Sequence, residues 1–218
     1  MGLYLCASLS AFSATAFAVM VMFIMKNRYK LAVGLVAATV IFIAVGLVFP
    51  SIFPRGLEAI DSTLDQRLSI WSTSVKGILK NPFFGTGALS YQMICEQLGG
   101  YKTYHCHNLI LDTLLNYGFI GFGVMGIYIM TQMKLLYLMF KNNIGVNMDI
   151  LFLAATAATA VHGVTDVTIS WIQTGLLFIL IFSSNGIGSE FLENQLRLPS
   201  LIPAYASKSS VKTAYNEN

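Results

Sequence analysis

The sequence has few charged residues, few cysteines and no nucleotide-binding loop, and each deficit excludes a class of protein. Only 11% of the 218 residues are charged, whereas a typical soluble domain has about 25%. The net charge of +3 is too small and too scattered for a nucleic-acid-binding protein. Three cysteines, Cys6, Cys95 and Cys106, cannot build a disulfide framework, although the last two could pair if their segment lies outside the cell.

Long apolar runs are what the chain has in excess. Apolar residues make up 56% of it, and the mean hydropathy of +0.68 indicates an integral membrane protein. Several runs reach the roughly 20 residues that cross a bilayer. The sequence therefore predicts an all-α polytopic membrane protein with five transmembrane helices. These helices are predicted at residues 3–25, 31–49, 119–140, 149–165 and 168–186.

The positions of lysine and arginine orient these helices, because cytoplasmic loops are enriched in both. Lys26, Arg28 and Lys30 mark one inside loop, and Lys134 and Lys141 mark another. The segment between these two loops is then outside. The predicted organisation is two transmembrane helices (1–50), an extracytoplasmic amphipathic loop (51–118), three transmembrane helices (119–187) and a disordered cytoplasmic tail (188–218).

The extracytoplasmic loop contains a predicted amphipathic helix, "LDQRLSIWSTSVKGILK", at residues 64–80. Arg67 falls inside its apolar stripe, one turn from Trp71. An arginine there needs an anion or a carbonyl, and guanidinium matches phosphate oxygens in a bidentate fork. The alternative is an arginine that snorkels or stacks on Trp71. "KNPFFGTG" then ends the helix, and a plain turn is favoured over a phosphate-binding loop.

The stretch "YKTYHCHNLILDTLLNYGFIG" places two histidines directly before an apolar run. If it is helical, His105, Asn108, Asp112 and Asn116 share one face, and His107 lies on another. The two histidines then point apart, with His105 exposed to water. Desolvation by apolar neighbours favours a neutral His107 imidazole, which can act as a general base. The alternative is a structural histidine bound to a carbonyl.

Two cysteines and two histidines in this part of the sequence raise the question of a zinc site. Cys95, His105, Cys106 and His107 are zinc ligands by type. However, "HCH" cannot easily turn three side chains onto one tetrahedral ion, so we predict no metal.

"HGVTD" interrupts the last apolar run with two ionisable residues, His162 and Asp166. Ionisable residues at membrane depth are functional candidates. These two are also spaced as a helix-end cap and its partner, so both interpretations stay open.

Four segments in this order resemble one protein family. "DQRLSIW", "NPFFGTG", "HNLILDTLLNYGFIG" and "HGVTD" are similar to the O-antigen ligase and O-unit polymerase family, over roughly residues 60–185. The family pattern H-[NSQ]-x9-G fits His107, Asn108 and Gly118, with nine residues between the last two.

The resemblance implies a multi-pass glycosyltransferase of the bacterial inner membrane, with its active site on the periplasmic or extracellular side. It would move a glycan from undecaprenyl diphosphate to an acceptor hydroxyl, on another glycan or on a lipid A core. The partners implied are these two substrates and membrane lipids, without nucleic acid. No cofactor, metal or nucleotide sugar is expected. The resemblance also implies that the chain corresponds to the C-terminal half of the family's longer members.

The same resemblance implies roles for individual residues. Arg67 would hold the donor diphosphate, and His107 would activate the acceptor hydroxyl. The substrate-binding candidates are Arg55, His105, Asn108, His162 and Asp166. Two alternatives remain: a truncated, non-catalytic membrane partner, and a transporter of lipid-linked sugars. The nearly charge-free predicted spans disfavour the transporter, because coupled transporters need buried ionisable sites.

Overall fold

The structure, a computed structural model, describes residues 8–49, 58–142 and 146–183. All secondary structure in these three ranges is helical, so the all-α prediction is confirmed for them. The elements are α1 (Leu9–Met25), α2 (Tyr29–Val48), α3 (Glu58–Lys80), α4 (Ser90–Ile94), α5 (Leu109–Lys141), α6 (Val146–Gly163), a 3-10 helix (Thr168–Ser170) and α7 (Ile172–Ser183).

Within the three described ranges, two helices are long and apolar enough to cross a membrane. They contain the windows Tyr29–Gly46, within α2, and Leu109–Lys141, which is the whole of α5. The side chains of Val33, Val40 and Ile41 on α2 are all more than half exposed, as expected of a surface that faces lipid. Helices α1 and α7 are apolar but shorter. Membrane-spanning helices are thus supported, and the number of five stays a prediction.

The first two helices form a hairpin, and the first of them packs against α6. Ser8 caps α1, because its Oγ accepts a hydrogen bond from the Ala11 N–H at 3.3 Å. Three residues, 26–28, connect α1 to α2, and Asn27 has a positive φ of 56° there. Helix α1 then packs along both α2 and α6.

Helix α5 is broken by Gly118. This glycine has φ 65° and ψ −172°, outside the helical region. The break frees the next two amides, and the N–H groups of Phe119 and Ile120 donate to the carbonyls of Pro82 and Phe83 at 2.7 and 3.1 Å. The predicted start of the third apolar helix at residue 119 therefore coincides with a real change of direction in the chain.

The loop "KNPFFGTG" is docked on this break. Gly85 has φ 69°, and a Cβ there would lie 2.5 Å from the Asn116 carbonyl. The amides of Thr86 and Gly87 donate to the Leu115 and Asn116 carbonyls, each at 2.9 Å. Because both amides are already used, they are not free to bind phosphate, and the plain-turn interpretation is supported.

Helix α3 packs its apolar side against the first part of α5, as its amphipathic sequence predicts, although it begins at Glu58 and not at residue 64. The core cluster between them consists of Ile70, Ile78, Tyr91, Cys95, Cys106 and Leu115. Cys95 and Cys106 are both buried there as free thiols, so the disulfide considered from the sequence is not formed.

Candidate functional site

The two histidines lie in a loop, and not in the helix that the spacing suggested. Helix α5 begins at Leu109, and Asn108 is its N-cap, with its Oδ1 accepting from the Leu111 N–H at 3.0 Å. An N-cap residue leaves the helical conformation and ends the helix on its N-terminal side. The prediction of one helical face that includes His105 was therefore wrong.

The rings of His105 and His107 are in contact. Their centroids are 4.3 Å apart in an edge-to-face arrangement, and both residues are half-buried. His107 has φ +48°, a conformation that is uncommon outside glycine. That turn brings the His107 N–H within 3.4 Å of His105 Nδ1, to which it donates. The predictions that the rings point apart and that His105 is exposed to water were wrong, because this turn folds the loop back on itself.

The His107 imidazole lies between a carboxylate and a hydroxyl. Its Nδ1 is 3.4 Å from Asp166 Oδ1, at ion-pair distance but not aligned for a hydrogen bond. Its Nε2 is 3.4 Å from Thr103 Oγ1. The indole N–H of Trp71, on α3, donates to the His107 carbonyl at 3.4 Å. Contacts with α3, with the segment after α6 and within its own loop thus fix the position of this histidine.

The electrostatics favour an ionised Asp166 beside a neutral His105. Burial raises the pKa of Asp166, but the His107 imidazole and the Val167 N–H outweigh it and lower this pKa to about 2. The Val167 N–H donates to Asp166 Oδ1 at 2.8 Å. Burial, with the neighbouring His107, lowers the pKa of His105. The Asp166 carboxylate faces Nδ1 of His107. It therefore favours the His107 tautomer with the proton on Nδ1, which leaves Nε2 of His107 as the acceptor.

The turn after α6 carries Asp166 to this position. The His162 carbonyl accepts from the Thr165 and Asp166 amides, both at 3.0 Å. The Asn108 side chain also donates to the Val164 carbonyl at 2.9 Å, which ties the start of α5 to the same turn. The Asp166 side chain therefore faces His107. The His162 side chain is buried, and its Nδ1 has no hydrogen-bond partner among the residues that the structure describes.

Arg67 is half-buried on α3, one turn before Trp71. Residues four apart on a helix lie on the same side of it, so Arg67 is on the side of α3 that reaches the His107 backbone. Its guanidinium has no ion pair, hydrogen bond or ring contact within the described ranges, so the stacking on Trp71 that the sequence left open as an alternative is not formed. Arg55, the second phosphate candidate, lies outside the described residues.

Asp112 and Asn116 join the site loop to the helices. Asp112 Oδ1 accepts from the Cys106 amide at 3.1 Å, and its Oδ2 accepts from Asn116 Nδ2 at 2.9 Å. Asn116 Oδ1 in turn accepts from the Ser90 amide at 3.2 Å. The two residues do share one face of α5, as their spacing predicts, and this buried network holds the loop that carries both histidines.

A cavity of about 500 Å³ opens beside His105. The Trp171 ring lies edge-to-face on the His105 ring, with centroids 6.0 Å apart, so this tryptophan joins the cavity to the histidine pair. The lining of the cavity is rich in aromatic side chains and consists of Ala88, Leu89, Tyr104, His105, Asp112, Asn116, Tyr117, Ser170 and Trp171.

The histidine pair and Asp166 could also hold a metal ion, because each offers one ligand atom and these atoms lie within 4.8 Å of one another. Two imidazoles and a carboxylate suit zinc and other divalent transition metals. This set differs from the one considered from the sequence. Cys106 lies in the apolar core, where burial raises the pKa of its thiol well above the usual range and disfavours the thiolate that binds metals.

Sequence reasoning did not find two features of this site. The proximity of Asp166 to His107 joins residues that are far apart in the sequence, and no local pattern signals it. The aromatic lining beside His105 was also missed. Trp171, five residues after Asp166, gave a usable signal, since a tryptophan beside ionisable residues often marks a binding surface.

The described residues form an all-α protein with two helices long and apolar enough to cross a membrane and a histidine–carboxylate pair at a loop. A family model described as O-antigen ligase matches residues 1–126, more than half of the chain. The chain belongs to the O-antigen ligase family. The match includes Arg67, His107, Asn108 and Gly118 but ends before Asp166. No curated protein and no solved structure matches the chain.

Proposed function

We propose that this protein transfers a glycan from undecaprenyl diphosphate to a sugar hydroxyl at the outer face of the bacterial inner membrane. The acceptor is another glycan or a lipid A core sugar. Family membership supports an enzyme of polysaccharide biosynthesis. The observation that carries the proposal is the His107 imidazole beside the Asp166 carboxylate, with a cavity lined by the neighbouring His105.

His107 is the general base in this mechanism. Its Nε2 takes the proton of the acceptor hydroxyl, and the hydroxyl oxygen attacks the anomeric carbon of the donor. The bond to the diphosphate breaks, and undecaprenyl diphosphate leaves with the electron pair. Asp166 positions the ring and stabilises the imidazolium that forms, since an ionised carboxylate lies 3.4 Å from Nδ1. The Thr103 hydroxyl lies 3.4 Å from Nε2, so the acceptor hydroxyl has to displace this contact to reach the base.

Arg67 binds the donor diphosphate. A half-buried guanidinium without a partner in the described ranges is costly unless an anion neutralises it. Its fork of N–H groups matches the oxygens of a diphosphate and stabilises the charge that develops on the leaving group. Arg55 is proposed as a second phosphate ligand. His105 and Asn108 support the site, the former by ring contact and the latter through its cap.

The mechanism needs no metal, because diphosphate is a good leaving group and the charges are met by arginine. This proposal is tested with chelators. Transfer should be unchanged after treatment with EDTA or phenanthroline. A loss of transfer that added zinc restores would show instead that His105, His107 and Asp166 hold a catalytic ion.

The experiment that tests the function replaces Arg67 or His107 in the full-length protein. Each variant is expressed in a strain that lacks the corresponding gene, and the surface polysaccharide is separated on a gel. We expect R67A and H107A to abolish the glycan ladder, whereas R67K retains part of it because a point charge replaces the fork. A normal ladder at normal protein levels would refute the assigned roles.

Lys76 provides the matched control for Arg67. It lies on the same helix but is exposed, so K76A should leave the ladder intact.

Cysteine labelling tests on which side of the membrane the site lies. A cysteine introduced at Lys102, which is exposed, should react with an impermeant thiol reagent in whole cells with a permeabilised outer membrane. Labelling only after lysis would place the site on the cytosolic side and reject the proposal.

A further inference from the structure

The cavity beside His105 has walls of two kinds that together suit a sugar. The first kind is aromatic. Tyr104, Tyr117 and Trp171 are 66%, 49% and 53% exposed, so large parts of their side chains are open to a ligand. The flat side of a pyranose carries C–H bonds with partial positive charge. These are attracted to the negative face of an aromatic ring.

The second kind of wall is polar. Tyr104, Tyr117, Ser170 and Trp171 line the cavity, and their hydroxyl groups and indole N–H have no hydrogen-bond partner within the described ranges. A ligand rich in hydroxyls would supply partners for all four groups. A polyprenyl tail or an acyl chain would leave them unpaired in an apolar complex, which costs free energy. The lining therefore favours a carbohydrate over a lipid tail.

The cavity also has the right size and place. Its volume of about 500 Å³ is within the range of small-ligand sites. Trp171 contacts the His105 ring, and the His105 ring contacts His107. A sugar held against Trp171 would thus lie two ring contacts from the proposed base. Leu89, also in the lining, has a positive φ of 58°, and such rarely populated backbone conformations concentrate at ligand sites.

We propose that this cavity is the subsite for the acceptor glycan, in which one sugar ring stacks on Trp171 and hydrogen-bonds to Ser170 and the tyrosine hydroxyls. The proposal rests on the proposed transferase function. Trp171 is a specificity-determining residue that binds the acceptor, and it takes no part in proton transfer.

Transfer kinetics test the subsite with the full-length protein. The initial rate is measured against the concentration of acceptor oligosaccharide prepared from the surface glycan of the source strain, at a fixed concentration of lipid-linked donor. We expect W171A to raise the half-saturating acceptor concentration about tenfold, which corresponds to a loss of about 1.4 kcal/mol, with less than a threefold change in maximal rate. W171F keeps a ring face and should stay within threefold of the parent.

Phe84 is the matched control, because it is 77% exposed and does not line the cavity. F84A should leave the acceptor dependence unchanged. If W171A behaves like F84A while the parent transfers glycan, the subsite proposal is overturned and the transferase function stands.

Binding is measured independently by fluorescence, because Trp71 and Trp171 are the only tryptophans of the chain. In W71F, the emission reports on the cavity alone. The protein is kept in an amine-oxide detergent, since maltoside headgroups would compete. We expect the oligosaccharide to shift this emission saturably. In W171F with Trp71 retained, the oligosaccharide should produce no such shift. Saturable binding without any transfer would refute the function but support the subsite. A response to free polyprenol and none to oligosaccharide would overturn the subsite.

Discussion

Gly118 offers the sharpest test of how the fold positions the site. Its φ of 65° and ψ of −172° belong to a region that is essentially restricted to glycine. An alanine Cβ would lie 2.3 Å from the carbonyl carbon and oxygen of Phe83. Both are backbone atoms, so the clash cannot be relieved by a side-chain rotation. G118A must therefore move the loop, the helix or both.

The magnitude follows from the contacts that this movement breaks. The backbone conformation costs about 1–3 kcal/mol for a residue with a Cβ. The hydrogen bonds from Phe119 and Ile120 to the loop, at 2.7 and 3.1 Å, contribute about 1 kcal/mol each. We therefore expect G118A to lower the free energy of unfolding by roughly 3–5 kcal/mol. For a chain of this size, that corresponds to a melting temperature lower by on the order of 10 °C.

The assay is thermal unfolding in detergent, followed by circular dichroism, with G123A as the matched control. Gly123 is in the same helix and has no atom within 4 Å of an added Cβ. Alanine there should be neutral or stabilising by up to about 1 kcal/mol. If G118A melts within about 2 °C of the parent, the break in α5 does not hold the loop, and the reasoning fails.

Three further predictions concern individual side chains. The depressed pKa of Asp166 contributes about 2 kcal/mol of stability above pH 4, and this contribution is lost as the pH falls through about 2. Thermal melts of D166N at acid pH should lack this loss of stability. A pH dependence of D166N parallel to that of the parent would contradict the prediction. N108A removes the α5 cap and the bond to the Val164 carbonyl and should cost about 1–2 kcal/mol, whereas N108D, which keeps the cap, should cost less; equal losses would rule out the cap. Cys106 should resist maleimide until the protein is denatured, because it is buried and the pKa of its thiol is raised; rapid labelling of the folded protein would show that the core is open.

The fold was predictable where the sequence signals are local. The apolar stripe of α3 recurs at helical spacing, and the proline and glycines of "KNPFFGTG" stop that helix where the structure ends it, at Lys80. "HGVTD" separates α6 from α7 for the same reason. These features depend on neighbours within one or two turns, so periodicity and turn residues suffice to find them.

The site was less predictable, because its geometry depends on contacts between distant segments. The spacing of His105 and Asn108 matches a helix, but Asn108 caps α5 and leaves His105 in a loop. A capping residue and a helical residue cannot be told apart from spacing when both are polar. The position of Asp166 beside His107 depends on the end of α6 meeting the start of α5, for which the sequence carries no local signal.

In the proposed mechanism His107 is the base, and its contacts give the second histidine, His105, a separate role. His105 accepts the His107 amide through its Nδ1, a role that requires a neutral ring with a free lone pair. Burial and the proximity of His107 lower the pKa of His105 and keep that lone pair free. A protonated His105 could not accept this bond and would repel the imidazolium that the proposed mechanism forms on His107. In the proposed mechanism His105 thus acts through His107, by holding the turn and by remaining uncharged, and replacement by Gln should preserve the turn better than replacement by Ala.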